Sequence, residues 1–454
     1  MHTLAQRSLT HVWHPCTQMQ RAWALPPLAI EHAQGPWLFD EHGKRYFDAT
    51  SSWWVNLFGH GDARIAEALK DQIDRLSHTM LAGCTHRPAV ELAERLSKRT
   101  GGALDHCFFA SDGASAVEIA LKMSVHYWRN QGQAQKREFV CLQRSYHGET
   151  IGALSVTDVA IFRDAYDPLL LRPHRVMSPD ARQAAPHETD SDVATRAAQA
   201  LETLLKARHE HIAALIVEPL VQGAAGMAMY HPSYLRLART LCDRYGVHLI
   251  ADEIAVGCGR TGSFFAFEQA AEAGAAPLWP DLVCLSKGIS GGFLPLSLVL
   301  VREPIYQAFL SDETARAFLH SHSYSGNALA CRAALAVLDH FELGHVLAEN
   351  QQRARALTQA LQPLTEDTRI EHVRHRGMIW AFDVKETYAG ARFAERFAQA
   401  GRQHELLIRP IGNSVYLMPP YAFDEPLAAW LGQRLMATLG AVLSDNPTHA
   451  DRAA

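Results

Sequence analysis

The chain has 454 residues, of which 48% are hydrophobic and 20% charged. The composition is typical of a globular enzyme, and the length indicates one large and one smaller domain. Its formal net charge of −5 and the lack of a long basic run argue against nucleic acid or an anionic membrane as a partner. The eight cysteines form no Cys-x-x-Cys pair, and no apolar leader or membrane-length apolar run is seen, so we expect a reducing, cytoplasmic location.

The first predicted element is a β-hairpin over residues 37–48, with Gly43 in its turn. From about residue 62, apolar residues recur at helical spacing, and short apolar runs alternate with the helical stretches. The runs that predict buried strands are 107–110, 139–142, 214–217, 247–252 and 282–285. This alternation predicts an α/β fold, a mainly parallel central sheet with helices on both faces.

After about residue 340 the pattern changes to a charged helix over 347–361 and strand-like segments at 377–384 and 415–418. These segments predict a smaller α+β domain, completed by the N-terminal hairpin. The predicted boundaries are 1–60 for the N-terminal segment of the small domain, 61–340 for the large domain and 341–454 for the C-terminal part of the small domain. Residues 444–454 are expected to form a frayed tail.

Two charged residues stand at the ends of buried strands. Lys287 follows the run 282–285 and precedes a glycine-rich stretch, and Asp252 ends the run before it. An amine can bind a carbonyl cofactor covalently, and a carboxylate can keep a pyridine nitrogen protonated. The pair therefore predicts a pyridoxal phosphate (PLP) enzyme, in which Lys287 also moves the proton at the substrate carbon. The alternatives are a solvated surface lysine and a solvated strand end; Glu253 could replace Asp252, but on a continuing strand it points to the opposite face.

The segment 108–118 runs from a strand through small residues into an amphipathic helix. Backbone N–H groups at Gly113 and Ala114 could hold a phosphate at the helix N-terminus, although a helix capped by Ser115 and Glu118 explains the pattern equally well. Tyr146 follows another strand and could stack on a flat ring, but an ordinary core aromatic is the more common case.

Two glycine motifs point elsewhere and are discounted. Residues 257–262 spell the dinucleotide motif G-x-G-x-x-G, and residues 288–292 spell the nucleophile motif G-x-S-x-G around Ser290. Both motifs require a helix to begin at once, which aromatic residues oppose in the first case and Pro295 in the second. The 25 histidines show no metal-ligand spacing, so no metal is expected.

Taken in order, these motifs resemble the class III (ω-) aminotransferases of PLP fold type I. The resemblance rests on the phosphate turn, Tyr146-His147-Gly148, Asp252-Glu253, Gly259-Arg260-Thr261-Gly262, Ser286-Lys287-Gly288 and Gly326-Asn327, and it covers nearly the whole chain. It implies a transferase with PLP as its cofactor and with Lys287, Asp252 and Tyr146 as catalytic residues. The implied cofactor-binding residues are Gly113, Ala114, Tyr146, His147, Asp252, Lys287 and Ser323.

Several stretches are similar to a narrower branch of this family, which makes 7,8-diaminononanoate from 8-amino-7-oxononanoate in biotin biosynthesis. They include Trp13-His14-Pro15, Ser51-Ser52-Trp53-Trp54, residues 222–232 and Arg409-Pro410. The branch implies an apolar substrate wall of Trp53, Trp54 and Tyr146, a carboxylate clamp at Arg409 and substrate contact at Gly326. It also implies a homodimer in which Ser323 reaches the phosphate of the neighbouring subunit. Without the resemblance, the two tryptophans could equally be core residues and Arg409 a surface ion-pair partner.

The chain departs from this branch at two places. Members that use S-adenosylmethionine as amino donor typically have tyrosine where this chain has Cys16, and Pro-Thr where it has His322-Ser323. The second change keeps a hydroxyl for the phosphate. We expect S-adenosylmethionine as donor; the alternatives are lysine as donor or a broader ω-aminotransferase, with a hydrolase through Ser290 and a dehydrogenase through residues 257–262 as rivals of other classes.

Overall fold

The computed structural model describes residues 3–272 and 274–444, so the predicted tail lies outside the described residues except for Ser444. The strands are β1 (Ile30–Gln34), β2 (Trp37–Asp40), β3 (Arg45–Asp48), β4 (His106–Ala110), β5 (Glu138–Leu142), β6 (His174–Val176), β7 (Ile212–Val217), β8 (Val221–Gln222), β9 (Ala228–Met229), β10 (His248–Asp252), β11 (Leu282–Leu285), β12 (Ser297–Val301), β13 (Ile370–Arg376), β14 (Ile379–Val384), β15 (Leu406–Leu407) and β16 (Ser414–Leu417). The helices are α1 (Leu4–His11), α2 (Met19–Ala22), α3 (Ser51–Trp54), α4 (Ala63–Arg75), α5 (Arg87–Arg99), α6 (Gly113–Asn130), α7 (Ile151–Ser155), α8 (Ala160–Arg163), α9 (Asp190–Arg208), α10 (Ser233–Tyr245), α11 (Glu303–Gln307), α12 (Ala328–Leu343), α13 (Val346–Ala360), α14 (Glu386–Ala389), α15 (Phe393–Gln403) and α16 (Glu425–Ser444). All are right-handed α-helices except α3, a single turn whose residues have positive φ.

A seven-stranded sheet forms the centre of the molecule, in the order β4-β12-β11-β10-β7-β5-β6. Neighbours from β11 to β6 pair in parallel, whereas β12 runs antiparallel to both β11 and β4. All five strands predicted from the apolar runs are in this sheet, so the prediction of a mainly parallel sheet is confirmed. Strands β6 and β12 were not predicted from the sequence.

Helices cover both faces of this sheet, as predicted. Strand residues alternate between two apolar clusters: Ile250 packs with the cluster around α6, while Leu249 and Ala251 pack with the cluster around α9, α10 and α12. The strands are almost wholly buried because both faces are covered, which explains why they appear in the sequence as continuous apolar runs.

The predicted N-terminal hairpin is confirmed as β2 and β3, joined by a turn in which Gly43 has a φ of 76°. Strand β15, near the other end of the chain, pairs in parallel with β3, so the two ends of the chain share one sheet. A second small sheet has the order β13-β14-β16, which confirms the two predicted C-terminal strand segments. The domain boundaries stay a prediction, and the one at residue 340 falls within α12. Among the described residues, no helix is both long and apolar enough to span a membrane.

Candidate active site

A cavity of about 660 Å³ lies at the carboxyl ends of the parallel strands. Asp252 at the end of β10, Glu218 after β7 and Lys287 after β11 all line it, as do residues that follow β4 and β5. In open α/β sheets this edge is where ligands bind, because the loops that follow the strands converge there. The predicted lysine and carboxylate are therefore brought into one cavity.

Lys287 occupies a sharp turn between β11 and the glycine-rich stretch. Its φ is 48°, a left-handed conformation that is uncommon for a residue with a side chain. Its ammonium position lies 5.0 Å from the centre of the Trp54 ring. Desolvation lowers the pKa of this amine from its ordinary value, although the neighbouring carboxylates of Asp252 and Glu218 oppose that shift. A lowered pKa increases the fraction of neutral, nucleophilic amine near neutral pH.

Asp252 is buried and fixed by its neighbours. One carboxylate oxygen accepts a hydrogen bond from the backbone N–H of Ile254 at 3.1 Å, and the other lies 2.7 Å from Nδ1 of His147. Glu253, the alternative carboxylate, does not line the cavity; its two oxygens accept the backbone N–H groups of Ala266 and Phe267. Of the two adjacent acids, Asp252 is thus the one available to a cavity ligand.

The N-terminus of α6 points at the cavity, where Gly113 and Ala114 both line the wall. The helix is capped by Asp112, which accepts the N–H of Ser115 at 3.0 Å, and not by the Ser115–Glu118 pair. Because the first N–H groups of a helix have no partner within it, those of Gly113 and Ala114 are left for an anion. Gly148 packs directly behind: a Cβ added there would stand 2.7 Å from Cβ of Ala114.

Tyr146 forms part of the cavity wall and is held at both ends. Its backbone N–H donates to Glu218 at 3.0 Å, and its hydroxyl donates to Glu149 at 2.9 Å. Burial, together with the Glu149 carboxylate, keeps the pKa of this hydroxyl far above its ordinary value, so it is a donor throughout the physiological range. Glu218 was not predicted from the sequence as a site residue. Burial raises the pKa of its carboxyl to about 7. Its position directly after the apolar run 214–217 was the available signal.

The outer wall of the cavity contains both predicted tryptophans. Trp54 is buried and donates from Nε1 to the hydroxyl of Tyr416 at 3.1 Å, while Trp53 is 45% exposed at the cavity mouth. The guanidinium of Arg409 lies 5.3 Å from the centre of the Trp53 ring and donates to the carbonyl of Cys16 at 2.8 Å. Arg409 does not itself line the cavity but stands beside its mouth.

Two predicted site residues lie away from this cavity. Ser323 is exposed, and its carbonyl lies 2.8 Å from Nε2 of His78. Gly326 is buried, and its carbonyl lies 2.8 Å from Nε2 of His86; a Cβ there would clash with the side chain of Leu81. Within this chain, the structure brings neither residue to the Lys287 cavity.

Neither of the two discounted glycine motifs is followed by the helix that its motif requires. Residues 257–265 form turns and bends where a dinucleotide site needs a helix. The buried Arg260 donates to the carbonyls of Pro419 and Asn56 at 2.6 and 2.8 Å, which ties this loop to segments from both halves of the chain. Ser290 lines the cavity, but its hydroxyl donates to the carbonyl of Leu294 at 2.5 Å. Only a short 3-10 helix spans Lys287–Ser290, so the strand–turn–helix geometry of a nucleophile elbow is missing here.

A mainly parallel sheet with a lysine and a carboxylate at its carboxyl edge is the arrangement that the sequence predicted for an aminotransferase. The family profile described as "Aminotransferase class-III" matches residues 19–439. The chain belongs to this family, and it is an aminotransferase.

Individual relatives are more specific. The chain is 45% identical to the adenosylmethionine-8-amino-7-oxononanoate aminotransferase of Helicobacter pylori over 92% of this chain and 93% of that protein. The crystal structure of the enzyme of the same name from Methanocaldococcus jannaschii matches with a TM-score of 0.88 at 33% identity, covering 96% of this chain and 98% of that one. An amine transaminase from an uncultivated Pseudomonas species, solved in its PLP-bound form, matches with a TM-score of 0.87 at 30% identity, covering 95% and 99% of the two chains.

Proposed function

We propose that this aminotransferase uses PLP to convert 8-amino-7-oxononanoate to 7,8-diaminononanoate in biotin biosynthesis, with S-adenosylmethionine as the amino donor. The observation that carries the proposal is the meeting of Lys287 and Asp252 in one cavity walled by Trp53 and Trp54. This cavity belongs to a chain 45% identical to a protein named for these substrates. The solved amine transaminases share the fold, but their identities of 26–30% are lower, so the broader activity is the second candidate.

The cavity suits PLP at three separated points. The free N–H groups of Gly113 and Ala114 provide a phosphate cradle. The cradle can form because Gly148 has no Cβ that would press on Ala114. Asp252 provides a fixed carboxylate for the pyridine nitrogen, and Lys287 provides an amine for the carbonyl. When bound, PLP supplies an electron sink for the carbanion that forms at the substrate carbon.

The protein side chains position the reactants and move protons. His147 holds the Asp252 carboxylate in place at 2.7 Å, and the ionised carboxylate favours a protonated ring nitrogen. Nζ of Lys287, with its lowered pKa, would carry the proton between the substrate carbon and the cofactor carbon. Tyr146, whose hydroxyl is held by Glu149, lines the cavity where it would stack on the ring of bound PLP.

The keto acid is a long aliphatic chain that ends in a carboxylate, and the outer wall fits both parts. Trp53, Trp54 and Tyr146 provide apolar surface for the chain, and Arg409 at the mouth provides a bidentate partner for the carboxylate. Arg409 already lies against Trp53, so the clamp and the wall form one unit. Cys16 lines the same mouth, which makes it the residue where donor choice between S-adenosylmethionine and lysine is decided.

The remaining proposals concern the assembly and its location. Ser323 is exposed and does not line the cavity of its own chain, which suits the role that the resemblance implies for it, a contact with the phosphate in a second copy's site. This requires a homodimer with shared active sites. The lack of a long basic run, the scattered cysteines and the net charge of −5 support a cytoplasmic enzyme without nucleic acid or membrane partners.

The test of this function is a half-reaction followed by absorbance. The protein reconstituted with PLP should show a visible band, and borohydride reduction should leave the cofactor mass on the peptide that contains Lys287. Protein carrying the aminated cofactor should regain that band on addition of 8-amino-7-oxononanoate and respond far less to pyruvate. Recovery of the band with pyruvate alone would favour the broader ω-aminotransferase, and an active but colourless protein would contradict the proposal.

A further inference from the structure

The turn that carries the two cavity tryptophans is left-handed. Four consecutive residues, Ser51 to Trp54, have φ values of 50°, 47°, 73° and 72°. The N–H of Trp54 donates to the carbonyl of Thr50 at 2.7 Å, and that of Val55 donates to the carbonyl of Ser51 at 3.0 Å. The segment is thus one turn of left-handed helix without a glycine. Residues with a Cβ disfavour this conformation, and such strain persists only where the surroundings impose it.

A buried carboxylate provides that constraint. Asp48 ends β3 and is 0% exposed. One of its oxygens accepts the N–H of Ser52 at 2.8 Å, and the other accepts the hydroxyl of Ser52 at 2.7 Å and lies 3.0 Å from Nε2 of His60. His60 is itself fixed by a two-way backbone bridge to Gly35. The strained turn is therefore tied through Asp48 to the four-stranded sheet β1-β2-β3-β15.

The handedness of the turn decides where the tryptophans lie. It directs Trp54 under Lys287 and against Tyr416, and Trp53 to the cavity mouth beside Arg409. A relaxed turn would place both indoles elsewhere and would leave the Arg409 guanidinium without its aromatic support. Asp48 does not line the cavity, so its influence on the substrate wall runs through the turn that it holds.

We propose that Asp48 is a positioning residue, which holds the left-handed turn Ser51–Trp54 and thereby sets the substrate wall for the keto acid. The inference rests on the proposed function for the identity of that substrate. It concerns the chain's own conformation, however, so it can also be measured in the protein without cofactor. That separation keeps a failure of the proposed function distinct from a failure of this inference.

The first experiment compares Asp48→Asn, Ser52→Gly and the double variant. Asp48→Asn weakens two charge-assisted hydrogen bonds, so KM for 8-amino-7-oxononanoate should rise about 10-fold or more with a smaller change in kcat. Ser52→Gly loses one hydrogen bond but removes the Cβ from a φ of 47°, so alone it should change KM little. In the double variant the hydrogen bonds between Ser52 and residue 48 are already weakened, so the glycine only relieves the backbone strain at the positive φ. KM should therefore return toward that of the wild type. A loss of packing in general would not be repaired by glycine.

The second experiment measures hydrogen–deuterium exchange over residues 49–57 in the protein without cofactor. Asp48→Asn should speed exchange there, while Asp40→Asn, which alters another buried carboxylate of the same sheet, should not. If Asp48→Asn does not fold, Ser52→Ala against Ser52→Gly decides, because these differ only in the Cβ at the strained φ. Faster exchange in the alanine variant supports the inference. Three results would overturn the inference. The first is equal exchange in Ser52→Ala and Ser52→Gly, and the second is unchanged KM and exchange in Asp48→Asn. The third is a double variant whose KM is higher than that of Asp48→Asn.

Discussion

Gly148→Ala tests whether the loop after β5 sets the phosphate cradle. Gly148 has a φ of 129°, and an added Cβ would stand 2.7 Å from Cβ of Ala114 and 3.2 Å from Cβ of Ala153. Neither neighbour is a flexible side-chain end, so the backbone at the start of α6 must shift. Overpacking of this kind costs about 1–3 kcal/mol, in addition to the strain of a positive φ. Because the shift moves the N–H groups of Gly113 and Ala114, the phosphate loses at least one charge-assisted bond.

Gly132→Ala is the matched control, since Gly132 also has a positive φ, of 75°, but an added Cβ would meet nothing within 4 Å. Both variants should lose stability from backbone strain, measured as the urea midpoint of the protein without cofactor. Only Gly148→Ala should weaken PLP binding, by about 10- to 100-fold for one lost bond to a charged group, measured by fluorescence titration. Equal PLP affinity in the two variants would refute the cradle.

Three further changes have separate outcomes. Arg409→Ala should raise KM for the keto acid by about 10- to 100-fold through loss of a charge-assisted pair, with Arg409→Lys in between; unchanged steady-state KM would rule out the clamp. Asp252→Asn should retain PLP but lower kcat by about 100-fold or more, because the ring nitrogen loses its anionic partner; near-normal turnover would show that another group does this work. Burial lowers the pKa of His248 from 6.5 to about 4, so the neutral form stabilises the fold, and that stability is lost as pH falls from 6.5 toward 4. In urea titrations across this range, the free energy of unfolding of His248→Gln should fall by up to about 3 kcal/mol less than that of the wild type. The same dependence of unfolding free energy on pH in both proteins would contradict the buried neutral imidazole.

The central sheet was predictable because its strands are buried on both faces. Continuous apolar runs such as 214–217 and 282–285 leave few alternatives of that length, and the residues that follow them mark the cavity edge. Strand β12 was not predicted, although Ser297–Val301 is mostly apolar; it lies two residues after Pro295, which was considered only as a helix breaker. Strand β13 was missed because Ile370–Arg376 is mostly exposed and carries polar residues at nearly every position.

The site was predictable where one residue type performs one task. Lys287 and Asp252 each follow an apolar run, so their places could be deduced from strand ends alone. Glu218 also follows an apolar run, but its role was not predictable from that position, since its backbone partners, Tyr146 and Gly223, come from separate loops. The left-handed turn at Ser51–Trp54 has no glycine to announce it, because its conformation is imposed by contacts with distant segments.

The most direct test of the account is product formation from 8-amino-7-oxononanoate with a panel of amino donors. The purified protein with PLP is supplied with this acceptor and with S-adenosylmethionine, lysine or alanine in turn, and 7,8-diaminononanoate is measured by mass spectrometry. Lys287→Ala, which keeps the cavity but lacks the amine, is the control. Product is expected from the wild type with S-adenosylmethionine, and none is expected from Lys287→Ala. Product with lysine alone would show that lysine, and not S-adenosylmethionine, is the amino donor. No product with any donor, from a protein that transaminates pyruvate, would contradict the proposed function.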